Sequence, residues 1–137
     1  MFKRIMVPVD LGHLETLGKA LEVTGAQAKL FNAPVTYVGV TMSAPSSVAH
    51  NPEEFGKKLA AFADKEAKKH GIDADSRAVV SHDTTIDLDD TLLKTAKDMG
   101  ADLIVMQSHL PGLADYIWPS NGGTVASHSN ASVLVVR

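Results

Sequence analysis

Cysteine is absent from the 137 residues of this chain, which excludes disulfides, thiolate metal centres and cysteine nucleophiles. Aromatic residues make up only 5%, so the packing burden falls on Val, Leu, Ala and Ile. Positive charge is not in excess: 13 Lys and Arg against 16 Asp and Glu give a formal net charge of -3. Such a balance offers no long-range attraction for nucleic acid or for an anionic membrane surface. Long apolar runs are missing as well, none approaching the roughly 18 residues of a membrane span. The opening basic residues lead into a short apolar run that Pro8 and Asp10 cut off, too short for the apolar region of a secretory leader. Neither a P-loop nor a G-x-G-x-x-G fingerprint occurs. These absences lead us to expect a cytoplasmic protein that contacts neither nucleic acid nor membrane, in which any bound phosphate is held by local geometry.

What is present is ordinary globular composition, 45% hydrophobic and 21% charged, in a length that suits one domain over residues 1–137. Residues 5–9 are apolar on both faces, as in a central strand of a parallel sheet covered by helices above and below. Leu14, Leu17, Leu21, Thr24, Ala28 and Phe31 recur at helical spacing until Asn32-Ala33-Pro34 ends the pattern. Residues 35–40 are β-branched-rich and read as a second strand. Residues 42–52 are polar, contain Pro and Ser, and read as a surface loop. Asn51 can cap a second helix with Pro52 at its first position. Phe55, Leu59, Phe62, Ala63 and Ala67 form its apolar face, and His70-Gly71 closes it. A weaker third strand centres on Ala78-Val79-Val80. A third helix is expected from about Asp87 to Met99, with Leu88, Leu92, Ala96 and Met99 inward and Gly100 as its stop. Leu103-Ile104-Val105-Met106 is a fully apolar fourth strand, a short fourth helix falls near residues 121–129, and the last strand is Val133, Leu134, Val135 and Val136. Strands alternating with helices predict a doubly wound α/β domain: a parallel sheet with right-handed crossovers and helices on both faces.

In such sheets ligands sit beyond the carboxyl ends of strands, where successive connections part to opposite faces. Pro8-Val9-Asp10, Gly39-Val40-Thr41 and Met106-Gln107-Ser108-His109 all end strands there and could line one pocket. Ser120-Asn121 would start the fourth helix, presenting unpaired N–H groups and the positive end of the helix dipole to an anion.

Three segments, Ile5-Met6-Val7-Pro8-Val9-Asp10, Asp102-Leu103-Ile104-Val105-Met106-Gln107-Ser108-His109 and Ser132-Val133-Leu134-Val135-Val136-Arg137, resemble the universal stress protein family. The resemblance extends over nearly the whole chain. It implies a five-stranded sheet in order 3-2-1-4-5, a homodimer, and in many members bound ATP or AMP, with Mg²⁺ able to bridge the phosphates. It further implies that the aspartate after strand one (here Asp10) and the backbone after strand two hold adenine and ribose, while the loop after strand four wraps the phosphates. ATP-binding members carry G-x-x-G, about nine residues, then G-S/T, because glycine lets backbone amides approach phosphate closely. Here the first two positions fall on Gln107 and Leu110, and the third on Pro119 or Ser120, so no motif glycine is in place.

Blander readings stand beside these. Asp10 could simply cap the helix that follows. Asp10, Ser108 and His109 invite a Ser-His-Asp reading, but a nucleophile elbow needs G-x-S-x-G and both glycines are lacking, so no catalytic residue is assigned. His13, His50, His70, His82, His109 and His128 lack paired ligand spacing, and Asp83, Asp87, Asp89 and Asp90 lack the alternation of a calcium loop, so no metal site is assigned. Tyr116 and Trp118 could cover a ligand, pack at a dimer contact or close the loop over the core.

The leading expectation is a stress-associated, homodimeric regulatory protein that binds ATP or AMP. Its candidate binding residues are Pro8, Val9, Asp10, Val40, Met106, Gln107, Ser108, His109, Ser120 and Asn121. Val9 and Val40 would wall the adenine, Asp10 would anchor it, and Ser108, His109, Ser120 and Asn121 would meet the phosphates. An apolar final strand at a sheet edge invites pairing with a second copy through Val133 to Val136. The alternatives are a protein–protein interaction module that keeps the fold without the nucleotide, and a slow ATP hydrolase.

Overall fold

The computed structural model describes residues 1–81, 88–108 and 121–137, with the side chains of residues 121 and 122 outside that description. Five strands form one parallel sheet in the order β3-β2-β1-β4-β5. They are β1 (Ile5–Pro8), β2 (Val35–Met42), β3 (Ala74–Ser81), β4 (Leu103–Gln107) and β5 (Ser132–Val136). The helices are α1 (Gly18–Phe31), α2 (Pro52–His70), α3 (Leu88–Met99) and α4 (Asn121–His128). Asp87, expected to open α3, lies outside the described residues.

The period-two alternation of strands divides the core into two layers. Ile5, Val7, Val35, Tyr37, Leu103 and Val105 face the cluster built with Leu17, Leu21, Phe55 and Leu59 from the α1 and α2 side. Met6, Val38, Ile104 and Met106 face the opposite way, onto Leu92 and Ala96 of α3 and Val125 of α4. The central strands are thus buried on both faces, which is why they read as continuous apolar runs.

Local signals set the helix ends. The Asn51 side chain accepts from the Glu54 N–H at 2.8 Å and Pro52 takes the first helical position. Gly71 closes α2 at φ 63°, a left-handed conformation that costs glycine little. The segment after β1 differs from the expected continuous helix. Leu11–Thr16 is a 3₁₀ segment in which His13 has non-helical backbone angles (φ -139°, ψ 44°), and α1 starts only at Gly18. The cause is Asp10, whose carboxylate captures the Gly12 N–H and tightens the first turn. The expected inward face persists from Leu17 onward: Leu17, Leu21, Thr24 and Ala28 are buried.

Between α1 and α2 lies a buried polar pair. His70, the last residue of α2, places Nε2 3.0 Å from Glu66 Oε2, with side chains 9% and 6% exposed. Gly25 of α1 makes room for that imidazole, since a Cβ there would come within 2.6 Å of His70 Nδ1. Nearby, the Tyr37 hydroxyl is buried without a hydrogen-bond partner, and its ring meets Phe62 edge-on with centroids 5.2 Å apart. Burial, followed by the charge of Glu66, pushes the Tyr37 hydroxyl well above the usual phenol range.

Candidate functional site

The sheet order reverses between β1 and β4: from β1 the chain steps outward through β2 to β3, then returns on the other side to β4 and β5. The crevice at their carboxyl ends is therefore where a doubly wound sheet opens a ligand site. Asp10 stands at this point and is only 7% exposed. Its Oδ1 accepts from the Gly12 N–H at 2.9 Å, and its Oδ2 lies 2.9 Å from His13 Nδ1. The carboxylate thus fills the cap role, and it does so on the wall of the crevice.

Beside it is a cavity of about 230 Å³ whose walls include Val9, Asp10, His13, Val40, Thr41 and Phe55. Its front is the loop after β2: Met42, Ala44, Pro45, Ser46, Ser47 and Val48 all line it. That loop is tied down. The Ser46 hydroxyl oxygen accepts from the Val48 and Ala49 N–H groups at 3.2 Å each, and the Ser46 N–H donates to the Ala49 carbonyl at 2.8 Å. The Lys58 ammonium reaches back from α2 to the Val48 carbonyl. The Glu54 carboxylate accepts from the His50 N–H at 2.9 Å and pairs with Lys58 at 3.2 Å. The His50 N–H foremost, then Lys58, holds the Glu54 carboxyl below its usual range.

Of the expected site residues, the structure brings Val9, Asp10 and Val40 together on the cavity. Pro8 is a buried strand residue paired with Val38. Met106 is 4% exposed and packs into the core beneath α3 and α4. Gln107 ends β4, where its Nε2 donates to the Val136 carbonyl at 3.2 Å and its Oε1 is buried without a partner. The Ser108 N–H donates to the same carbonyl at 2.6 Å. His109 and Ser120 lie outside the described residues, as do Leu110, Tyr116, Trp118 and Pro119; Asn121 opens α4, its side chain likewise outside. His13, Met42, Phe55 and the 44–48 segment were not anticipated. The position of His13, three residues after a strand-end aspartate that caps a turn, is the one signal that could have pointed to it.

Among the described residues no three His, Asp or Glu side chains converge as metal ligands. Asp10 is the single carboxylate on the cavity wall, and both its oxygens already have partners. The described residues therefore do not fit a site that would share a Mg²⁺ with a nucleotide. Nor is any helix among them long and apolar enough to cross a membrane.

The family model described as the universal stress protein family matches residues 1–137. The chain belongs to this family. Universal stress protein G of Shigella flexneri is 27% identical over 149 residues, an alignment covering 100% of both chains. Among solved structures, a universal stress protein from Archaeoglobus fulgidus superposes with a TM-score of 0.74 at 19% identity, covering 100% of each chain. A universal stress protein in complex with cAMP reaches 0.70 at 23% identity, over 99% of this chain and 97% of that one. A universal stress protein family protein from Arabidopsis thaliana with AMP bound reaches 0.65 at 17% identity, over 98% and 90%. The five-stranded order 3-2-1-4-5 expected of this universal stress protein is observed, and its fold is the one these solved structures share.

Proposed function

We propose that this universal stress protein is a cytoplasmic regulatory protein that binds an adenine nucleotide, ATP or AMP, at the carboxyl ends of β1 and β2, and acts as a homodimer. One observation carries the reading: a mostly apolar cavity bounded by Val9, Val40 and Phe55, with the buried Asp10 carboxylate on its wall, at the switch point of the sheet. A flat heteroaromatic base gains from apolar walls, and since a carboxylate oxygen accepts more than one hydrogen bond, its amino group can add a donor beside the Gly12 and His13 partners of Asp10. That structural relatives were solved with cAMP and with AMP supports it. Pro8, Val9, Asp10, Val40, Met106, Gln107, Ser108, His109, Ser120 and Asn121 remain the proposed site, with Val9, Asp10 and Val40 at its adenine end. The dimer rests on β5, which ends the sheet and carries the half-buried Val133, Leu134 and Val135 with no charged residue between Ser132 and Val136.

Mass spectrometry of what copurifies, paired with thermal shift on adding ATP, AMP and GTP, tests the ligand. An adenine-selective rise in melting temperature is expected; no copurified nucleotide and no shift at millimolar ATP or AMP would sink the reading and leave an interaction module in its place. Light scattering tests the dimer, and a monomer mass at micromolar concentration would remove it.

A further inference from the structure

We infer that the chain carries a second small-molecule site, beside the proposed nucleotide cavity, which takes a monocarboxylate with an apolar body, such as a medium-chain fatty acid, and anchors it on Lys58. The inference does not rest on the nucleotide reading, and either can fail without the other.

A cleft of about 430 Å³ lies between the 3₁₀ segment after β1, the loop after β2 and the middle of α2. That volume suits a small organic molecule. Leu11 and Leu14 of the 3₁₀ segment, Val48 of the loop and Phe62 of α2 line it. All four pack against the core yet stay half-buried. Apolar surface in a concave setting is thus left in contact with water, and the apolar body of a ligand would cover it. Lys58 and Phe62 are four residues apart on α2, so ammonium and ring lie on one face of the helix and open on the same cleft.

The polar part of the lining decides the head group. Lys58 is the one charged residue among the described residues that line the cleft, and Ser47 adds a hydroxyl. The nearby backbone donors are engaged, the Gly12 N–H on Asp10 at 2.9 Å and the Val48 N–H on the Ser46 hydroxyl at 3.2 Å. An ammonium has three hydrogens. The Val48 carbonyl takes one, and the Glu54 carboxylate, 3.2 Å away, takes another, which leaves the third for a ligand. Glu54 weakens the pull on an anion, but it also accepts from the His50 N–H at 2.9 Å and faces the His50 ring at 3.2 Å. Asp10, the other near carboxylate, stands behind Gly12 with both oxygens partnered. Two donors, the Lys58 ammonium and the Ser47 hydroxyl, match the two oxygens of a carboxylate. A phosphate would keep oxygens unsatisfied and carry a larger charge to desolvate.

Amide-resolved NMR titration of the intact chain with octanoate, octan-1-ol and octylamine tests this. The cleft adjoins the nucleotide cavity across Leu11, Gly12, Ser47 and Val48, which line both; Leu14 and Phe62 line only the cleft, and Val9 and Val40 only the cavity. Octanoate is expected to shift the Leu14 and Phe62 amides. It should bind about three- to fivefold tighter than octanol, the gain from an ion pair with a half-exposed lysine, and octylamine should bind more weakly than either. Lys58→Met keeps an apolar stem and should bring octanoate down to the octanol level, while Lys58→Arg should keep the preference. Glu54→Gln retains an acceptor for the His50 N–H, removes the competing charge, and should tighten octanoate about threefold with octanol unchanged. Should Lys58→Met lose its cooperative melt, the Glu54→Gln comparison decides. Octanol bound as tightly as octanoate, a preference that survives in folded Lys58→Met, no tightening in folded Glu54→Gln, or shifts at Val9 and Val40 without Leu14 and Phe62 each overturns the inference. None of these outcomes bears on AMP binding, which is titrated separately.

Discussion

Replacing Gly39 by alanine tests how closely the cavity wall and the sheet are matched. Gly39 lies within β2, and a Cβ built there would come within 2.8 Å of Phe55 Cζ, 2.9 Å of Cε1 and 3.1 Å of Leu59 Cδ2. Phe55 and Leu59 are 5% and 0% exposed, so neither ring nor branch has solvent to retreat into. Overpacking of this kind costs about 1–3 kcal/mol. The loss of unfolded-chain freedom on replacing glycine returns about 0.4–1 kcal/mol. The two ranges leave a net destabilisation of up to about 2.6 kcal/mol, centred at about 1.3 kcal/mol, or about 4–5 °C in melting temperature at that centre. Urea denaturation followed by circular dichroism should show the midpoint falling with the slope unchanged. Phe55→Leu removes the atoms in closest conflict, so the double variant should be more stable than the sum of the singles by at least about 0.5 kcal/mol. Because Phe55 also walls the cavity, Gly39→Ala should reduce the thermal shift produced by AMP. A midpoint equal to or above wild type would refute the packing argument, and purely additive single effects would refute the assignment to Phe55.

Four further outcomes are expected. Asp10→Ala removes the cap that holds the Gly12 N–H and the carboxylate of the proposed adenine pocket, and should weaken AMP binding at least about tenfold by isothermal titration. His70→Ala leaves the buried Glu66 carboxylate without its 3.0 Å partner and should cost about 3 kcal/mol in guanidinium unfolding. Tyr37→Phe deletes a hydroxyl that is buried without a partner and should leave stability unchanged or raise it by up to about 1 kcal/mol. The folded phenol is held above its usual range, while the unfolded chain loses that proton near about pH 10. Wild-type stability should therefore fall as pH rises through that value, and the component due to Tyr37 should be missing in Tyr37→Phe. At the acid end, burial raises the Asp102 carboxyl but is outweighed by the N–H groups of Arg4 and Lys3, so the net shift is downward. Asp102 then contributes stability above its unfolded value near about 3.9, lost as pH falls below it; Asp102→Asn should flatten that part of the acid unfolding curve.

Much of this protein is written in near-neighbour chemistry. Asn51, Pro52 and Gly71 fix the limits of α2 because caps act within one turn. The continuous apolar runs of β1 and β4 announced strands covered on both faces, as the two-layer core shows. Asp10 at the end of β1 marked the crevice for the same reason, since strand end and cap are both local properties.

The rest depended on distances that no local pattern encodes. The helix expected from Leu14 begins at Gly18 because the Asp10 carboxylate draws the intervening turn toward itself. The 42–52 stretch, polar and without period, reads as surface loop, yet Ser46 and Lys58 fasten it as the front wall of the cavity. Met106 continues an apolar run and falls to the core, because the strand's alternation turns it toward α3 and α4. Gln107 was legible as a missing glycine; that its amide and the Ser108 N–H both end on Val136 was not, since their partner lies 29 residues away for Gln107 and is supplied only by the pairing of β4 with β5. Element order, caps and the position of Asp10 came from the sequence alone, because periodicity and capping act over a few residues. The cavity's walls and the orientation of Gln107 came from tertiary packing, which joins residues by space rather than by spacing.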